Sequence, residues 1–261
     1  MQKIGIVGLG LIGGSIFKSL TALGYDVCAV SSSMQGILPN ITADYNTLKD
    51  CELIFVCSAM NKTLGILDTL EHVVSENTIV TDVCSLKTFV CQKERPYIFI
   101  PSHPMAGTEQ KGFENSFDGL FKGAKWVITP CFEPRKTEKN PRLILEKIIR
   151  ELGAEPVITT PKDHDEAVAL ISHMPMVVAQ ALFLAARENK LALNIAASGF
   201  RDMTRLAMSN EELACDMVSM NAENIQKAIL KLYAAMGELT GKNYPKIISE
   251  IKSERSEMFK K

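Results

Sequence analysis

Gly8-Leu9-Gly10-Leu11-Ile12-Gly13 forms a G-x-G-x-x-G close to the N-terminus. The pattern alone is weak, but here it follows a short β-branched run and opens a helical one, the setting in which it binds a dinucleotide. Gly8 suits the tight turn, Gly10 the close approach of a pyrophosphate, and Gly13 the close packing of helix on strand. Leu11 and Ile12 lie at the helix N-terminus that the phosphates would face. The next strand would end at Val30-Ser31-Ser32-Ser33, making Ser31 and Ser32 the candidates beside the adenosine ribose. An NAD site usually has Asp or Glu there to bond the 2′-hydroxyl. Its absence removes repulsion against a 2′-phosphate and leans towards NADP. Yet no Arg or Lys lies between Lys18 and Lys49 to clamp one, so NAD or NADP stays open at this point.

A candidate base follows a later strand. Ser102-His103 would sit beyond the carboxyl end of the sheet, where ligands of open α/β sheets bind. A neutral imidazole there can accept a hydroxyl proton while hydride leaves the carbon bearing that hydroxyl. A lone His after a strand is more often structural, so the neighbouring segments decide. These are Thr81-Asp82-Val83-Cys84-Ser85-Leu86-Lys87, Ser102-His103-Pro104-Met105-Ala106-Gly107-Thr108-Glu109, Ser172-His173-Met174-Pro175 and Ser198-Gly199-Phe200-Arg201-Asp202-Met203-Thr204-Arg205. His164 and His173 are nine residues apart, half a turn out of phase on a straight helix. Only one of them should face a given pocket, and His164, in an acidic first turn, reads as structural or solvated. If 201–205 is helical, Arg201 and Arg205 share a face. That arrangement fits a carboxylate clamp or, equally, a solvated pair tied to Asp202 and Glu109. Met203, Met208, Met217 and Met220 read as core fillers.

The elements that must position these groups follow from periodicity. Up to residue 160, β-branched runs alternate with helical patterns, which predicts a parallel sheet covered by helices. Strands are expected at 3–7, 26–30, 53–57, 78–81, 97–100 and 126–129, with one more at 155–159. Helices are expected near 13–23, 61–74 and 141–152, the last opened by Pro141 in its first turn. At Pro161 the character changes. A helix begins there with Asp163 and Asp165 in its first turn, and only helices follow, at 161–188, at 210–236 and a polar one at 244–259. The fold class is therefore α/β, with a Rossmann-like domain over 1–160 and an all-α domain over 161–261.

The 161–188 helix is apolar nearly all round, and the Lys-rich final helix is a poor cover for it, so a homodimer through the helical domain is expected. Residues 167–186 carry no formal charge, but His173 and Gln180 would be placed in hydrocarbon by a membrane span, which favours a buried dimer helix. Charge excludes another class. With 29 Lys and Arg against 30 Asp and Glu, nothing suggests a nucleic-acid binder. The seven cysteines are scattered, without a C-x-x-C pair, and no signal-peptide pattern precedes the glycine motif. A reducing, cytoplasmic compartment without a metal site is expected.

Taken in order, these segments resemble the prephenate/arogenate dehydrogenase family of tyrosine biosynthesis, from about residue 3 to 235. The His-Pro-Met-Ala-Gly and Gly-Phe-Arg-Asp-x-Thr-Arg segments are specific to that family. The resemblance implies a Rossmann domain, a helical dimerising domain and an NAD(P)+-dependent oxidoreductase. It would decarboxylate prephenate to 4-hydroxyphenylpyruvate or, alternatively, arogenate to tyrosine. By the same resemblance, His103 is the histidine that bonds the substrate ring hydroxyl and Ser85 is its orienting partner. His173 and Arg205 fall in the substrate pocket, Arg205 on a carboxylate, with Thr108 and Arg201 as further pocket residues. Glu109 and Asp202 lie in the same motifs without an assigned role. A related hydroxyacid dehydrogenase would carry a catalytic lysine in the long helix, and none occurs between Lys162 and Lys190. A nucleotide sensor without turnover is disfavoured by the joint presence of His103, Ser85 and Arg205. The length leaves no room for a fused chorismate mutase and no regulatory domain is expected, so any tyrosine inhibition would act near the active site.

Overall fold

The computed structural model describes residues 3–108, 110–132, 140–241 and 244–260. Six short strands make one parallel sheet: β1 (Lys3–Val7), β2 (Asp26–Val30), β3 (Ile41–Thr42), β4 (Leu53–Val56), β5 (Ile79–Asp82) and β6 (Ile98–Phe99), in the order β3-β2-β1-β4-β5-β6. Register places Val7 beside Val30 and Val56, and Val56 beside Asp82. The carboxyl ends of the four central strands are therefore level, and the loops leaving them share one edge. The chain runs outward in both directions from β1 and β4, which makes the crevice between them the switch point where ligands sit.

Both faces of the sheet are buried, as a parallel sheet requires. One side packs Ile4, Ile6 and Phe55 against α1 (Leu11–Ala22) and α3 (Pro141–Glu151), through Ile16, Leu20, Leu145 and Ile149. The other side packs Val7, Ile54 and Val80 against α2 (Met60–Leu70), through Leu67 and Leu70. A second sheet differs from expectation. β7 (Ser102–Pro104) pairs antiparallel with β8 (Lys125–Ile128), which pairs parallel with β9 (Glu155–Ile158). The runs near 126 and 155 therefore leave the main sheet, and β7, three residues ending in proline, is too short to show a period-two pattern. The buried indole N–H of Trp126 on β8 donates to Ser102 Oγ on β7 at 2.9 Å, fastening the two strands to each other.

After β9 the chain is helical. α4 (Pro161–Val168) runs through a wide π turn (Ala169–His173) into α5 (Met174–Ala186), followed by α6 (Lys190–Asn194), α7 (Ser198–Thr204), α8 (Glu211–Met220), α9 (Ala222–Leu239) and α10 (Tyr244–Met258). Two departures from the expected long helices matter for the site. Pro175 lacks the N–H that would bond the carbonyl one turn back, and the wide turn accommodates the loss. The 210–236 pattern breaks at Asn221, whose backbone (φ −120°, ψ 22°) leaves the helical region between α8 and α9. A third apolar cluster joins the halves, with Met60, Cys84 and Leu86 from the sheet side against Val168, Met176, Ala214 and Met217 from the helices.

Candidate active site

The glycine loop fits a dinucleotide. Gly8 has φ +92°, a conformation that side chains rarely adopt. A Cβ on Gly13 would lie 2.0 Å from the Gly8 carbonyl oxygen, so helix and strand meet there as closely as backbone allows. Gly10 is the opposite case: it caps α1 without any side-chain bond, and a Cβ on it would meet nothing within 4 Å. The α1 N-terminus at Leu11 and Ile12 is therefore left without a side-chain cap beside open space, which suits a pyrophosphate. Ser31 is buried at the end of β2, its backbone N–H bonded to the Thr42 carbonyl and its Oγ 3.4 Å from Ser33 Oγ. Ser32 is exposed. No carboxylate stands at this position.

His103 lies half-buried on β7, beside the carboxyl ends of β5 and β6. Its backbone is held from below by Lys87, a fully buried lysine. Lys87 Nζ donates to the Ser102 carbonyl at 2.6 Å and forms an ion pair with the buried Asp82. Ser102 Oγ, in turn, donates to the Asp82 carbonyl at 3.0 Å. The sequence segment containing Lys87 and Asp82 stood out, yet neither residue had a role assigned. An acid and a lysine five apart inside a β-branched stretch were the only available signal.

The imidazole of His103 is engaged by His164, not by Ser85. His103 Nδ1 lies 2.9 Å from His164 Nε2, and His164 Nδ1 lies 2.8 Å from Asp165 Oδ1. This corrects the reading of His164 as structural or solvated: it is only 2% exposed and touches the candidate base. The phase argument fails because the π turn adds a residue without adding a turn, removing roughly 100° of rotation from the nine-residue spacing. Asp165 is fixed by two backbone donors, Lys87 N at 2.8 Å and Thr88 N at 2.9 Å. Burial alone would raise this carboxyl, but the hydrogen bonds from His164, Thr88 and Lys87 outweigh it and hold it below the usual range.

His173 completes the group. Asn221 Nδ2 donates to His173 Nδ1 at 3.1 Å and to the Asp165 carbonyl at 3.0 Å, which explains why the helix breaks where it does. With Nδ1 accepting, the neutral ring carries its proton on Nε2, and that buried atom has no partner among the described residues. Burial pushes His173 down to about 4, with Asp165 opposing and His164 assisting. Burial likewise holds His103 well below 6.5, helped by His164, Lys87 and His173. Both rings are therefore neutral at physiological pH.

The remaining sequence candidates lie further out. Ser85 is half-buried at the end of β5 and makes no hydrogen bond among the described residues. Arg205 caps α7 with helical dihedrals, so it stays about one turn from Arg201, and both guanidiniums are exposed. Arg201 lies 3.6 Å from Asp202, whereas Arg205 has no ion pair among the described residues. Its neighbour Leu206 packs on the interdomain cluster with Met105, two residues beyond His103. Thr108 is exposed and accepts a bond from Gln110 N, while Glu109 lies outside the described residues.

Two predictions follow from these geometries. Gly10→Ala should lower dinucleotide affinity at least about tenfold while leaving the urea midpoint unchanged. Gly13→Ala should cost about 1–3 kcal/mol of folding free energy, the range for overpacking, and so lower that midpoint. Titration calorimetry and urea melts separate the two, and equal destabilisation by both would contradict the open space at Gly10. The histidines set the second. Because His103 and His173 bind protons more weakly folded than unfolded, the unfolded chain holds the excess of protons between pH 6.5 and about 4. Stability must fall as pH drops through that window, by up to about 1.4 kcal/mol per pH unit for each group. A urea midpoint that fails to decrease between pH 7 and 4.5 would show that these rings are not buried neutral.

Comparison with known proteins places this architecture. Residues 20–158 match the family described as prephenate dehydrogenase, nucleotide-binding domain, and residues 160–259 match prephenate dehydrogenase, dimerization domain. A prephenate dehydrogenase of Bacillus subtilis is 29% identical over 241 residues, covering 84% of this chain. The chain spans 64% of that relative's length. The crystal structure of Synechocystis arogenate dehydrogenase is 31% identical with a TM-score of 0.82, covering 98% of this chain and all of that one. Prephenate dehydrogenase from A. aeolicus, in complex with hydroxyphenyl propionate and NAD+, is 27% identical with a TM-score of 0.85, covering 99% of this chain and 98% of that one. With both halves matched in order, the chain belongs to the prephenate dehydrogenase family.

Proposed function

We propose that the protein catalyses NAD(P)+-dependent oxidative decarboxylation of prephenate to 4-hydroxyphenylpyruvate, with residues 1–160 holding the dinucleotide and 161–261 closing the substrate site. The observation that carries this reading is His103, neutral, with Nδ1 engaged by His164 and Nε2 left for a ligand, at the sheet edge that also carries the glycine loop. A bound NAD(P)+ supplies the hydride acceptor. His103 Nε2 takes the proton of the ring hydroxyl as hydride departs from the carbon that bears it. The ring carboxylate leaves as CO2, its bonding electrons complete the aromatic ring, the phenolate oxygen takes the proton back from His103, and the overall conversion is effectively irreversible.

The other roles follow from chemistry. A buried donor without a partner costs about 1–3 kcal/mol, so the Nε2–H of His173 is suited to a substrate acceptor. Arg205, without an ion pair among the described residues, offers a fork for a substrate carboxylate, with Arg201 one turn before it and Thr108 as a further pocket residue. Ser85, half-buried in the loop after β5, takes its role at the ring hydroxyl from the family resemblance alone. The serines after β2 lean towards NADP, since no carboxylate opposes a 2′-phosphate, and the scattered thiols suit a reducing cytoplasm. A second reading, arogenate as substrate, is supported by the 31% identity to an arogenate dehydrogenase. Steady-state assays pairing prephenate or arogenate with NAD or NADP decide both questions. His103→Asn should lower kcat by about 100-fold or more with little change in KM; retention of wild-type kcat would remove it from the chemistry.

Assembly is part of this reading. An 18-residue window within Pro161–Ala186 reaches a mean hydropathy of 1.8, enough by composition to permit a membrane span. However, its first half carries two buried histidines, His164 bonded to His103 and His173 bonded to Asn221. Exposed apolar side chains crowd the helices instead, including Ile171, Leu191, Leu230 and Tyr233, each at least 67% exposed. A homodimer burying more than about 2,000 Å² covers such a face. Light scattering should give a dimer at micromolar concentration, and Leu230→Glu should shift it towards monomer with loss of activity. A stable, fully active monomer would overturn this assembly.

A further inference from the structure

His164 and Asp165 are buried, hydrogen-bonded to one another and in contact with His103, yet the reaction as written uses neither. We propose that Asp165 and His164 form a positioning relay that fixes His103 as the tautomer with a bare Nε2, the form able to take the hydroxyl proton. This rests on the dehydrogenase function proposed above.

The argument is one of donors and acceptors. An ionised carboxylate only accepts, so the Asp165 contact places a proton on His164 Nδ1. Neutral His164 then presents a lone pair at Nε2, 2.9 Å from His103 Nδ1. His103 must donate there, so its proton sits on Nδ1 and its Nε2 is bare. Asp165 cannot turn away, because both its oxygens are also held by the backbone donors of Lys87 and Thr88. Water cannot substitute, because His164 is 2% exposed. When the substrate O–H bond breaks and the Nε2–H bond forms, the charge created on His103 is stabilised through the Nδ1–H donated to His164. Asp165 stands behind it on α4. Burial, His164 itself, Lys87 from the loop after β5 and His173 from the π turn all lower the proton affinity of His103, so the cation does not last and the proton is promptly released.

The opposite arrangement is chemically distinct and visible. A doubly protonated His164 would donate to His103 Nδ1 and force the His103 proton onto Nε2, which could not then act as a base. The chain has four histidines in all, so 15N-histidine NMR of the whole protein resolves the tautomers. Wild-type His103 should show a protonated Nδ1 and bare Nε2. His164→Phe, which fills the volume without an acceptor, should abolish that preference. It should lower kcat by at least about 100-fold and by up to about 10⁴-fold, the loss that follows removal of a tautomer-fixing partner, while substrate KM and dinucleotide Kd stay within about twofold. His164→Gln, whose Oε1 can accept from His103 Nδ1–H, should recover about tenfold of the loss. A wild-type His103 protonated at Nε2 overturns the relay. So does a His164→Phe enzyme with unchanged kcat, or Phe and Gln variants equally slow with equal losses of melting temperature. If wild type turned over neither prephenate nor arogenate, the functional reading would fail separately, and the tautomer spectrum would still decide the relay.

Discussion

Asp165 is the point at which the two halves of the molecule agree on geometry. From α4 its carboxylate accepts from the backbone N–H groups of Lys87 and Thr88, at the end of the parallel sheet, and from the ring of His164. Its carbonyl is held by Asn221 from the break between α8 and α9. Hydrogen bonds to a charged acceptor contribute about 1.5–3 kcal/mol each and are directional. The apolar cluster of Met60, Cys84, Leu86, Val168, Met176 and Met217 holds the halves together, but burial of apolar surface has no preferred direction. Cohesion comes from the cluster, and orientation from one carboxylate. Rotating α4 slightly would move His164 off His103 before it exposed much apolar surface.

The buried charges around this joint serve placement more than stability. Lys87 and Asp82 are both fully buried and paired, with Asp82 Oδ1 left unpartnered. Desolvating such a pair roughly cancels its attraction, so an apolar pair of the same volume would hold the fold as well. What an apolar pair lacks is an ammonium that grips the Ser102 carbonyl next to the candidate base while keeping a positive field on the imidazole. That field, with burial, keeps His103 unprotonated until a substrate arrives, which is the state a base must wait in.

The parallel sheet was legible because β-branched runs alternate with helical patterns, and β1 and β2 fall where the runs at 3–7 and 26–30 lie. The glycine loop was legible because Gly8, Gly10 and Gly13 each answer a distinct steric demand within six consecutive residues. His103 could be found by its place after a strand. His164 could not, since its role depends on the wide turn, and helical phase assumes that every turn is alike. Asn221 was hidden for a related reason: a polar residue inside a long apolar-periodic stretch looks like a solvated position until its partners, 48 and 56 residues away, are brought beside it. Lys87 carried no marker beyond its five-residue spacing from Asp82, because a lysine buried on a carbonyl and a carboxylate has the same letter as one in water.

Local irregularity and site geometry therefore have one origin. Pro175 removes a helical hydrogen bond, the π turn absorbs the loss, and the added residue rotates His173 towards the side on which His164 already stands. A regular helix would be more stable in isolation but would send one of the two rings to the opposite face. The same economy appears in the unpartnered atoms. Arg95 and Glu146 leave single atoms unbonded while their charged groups are otherwise paired. His173 Nε2, by contrast, is the whole outward half of a buried ring whose inner nitrogen is already taken by Asn221. A fold that spends a proline, a helix break and an amide to hold a ring with its donor unused is organised around what that donor will meet.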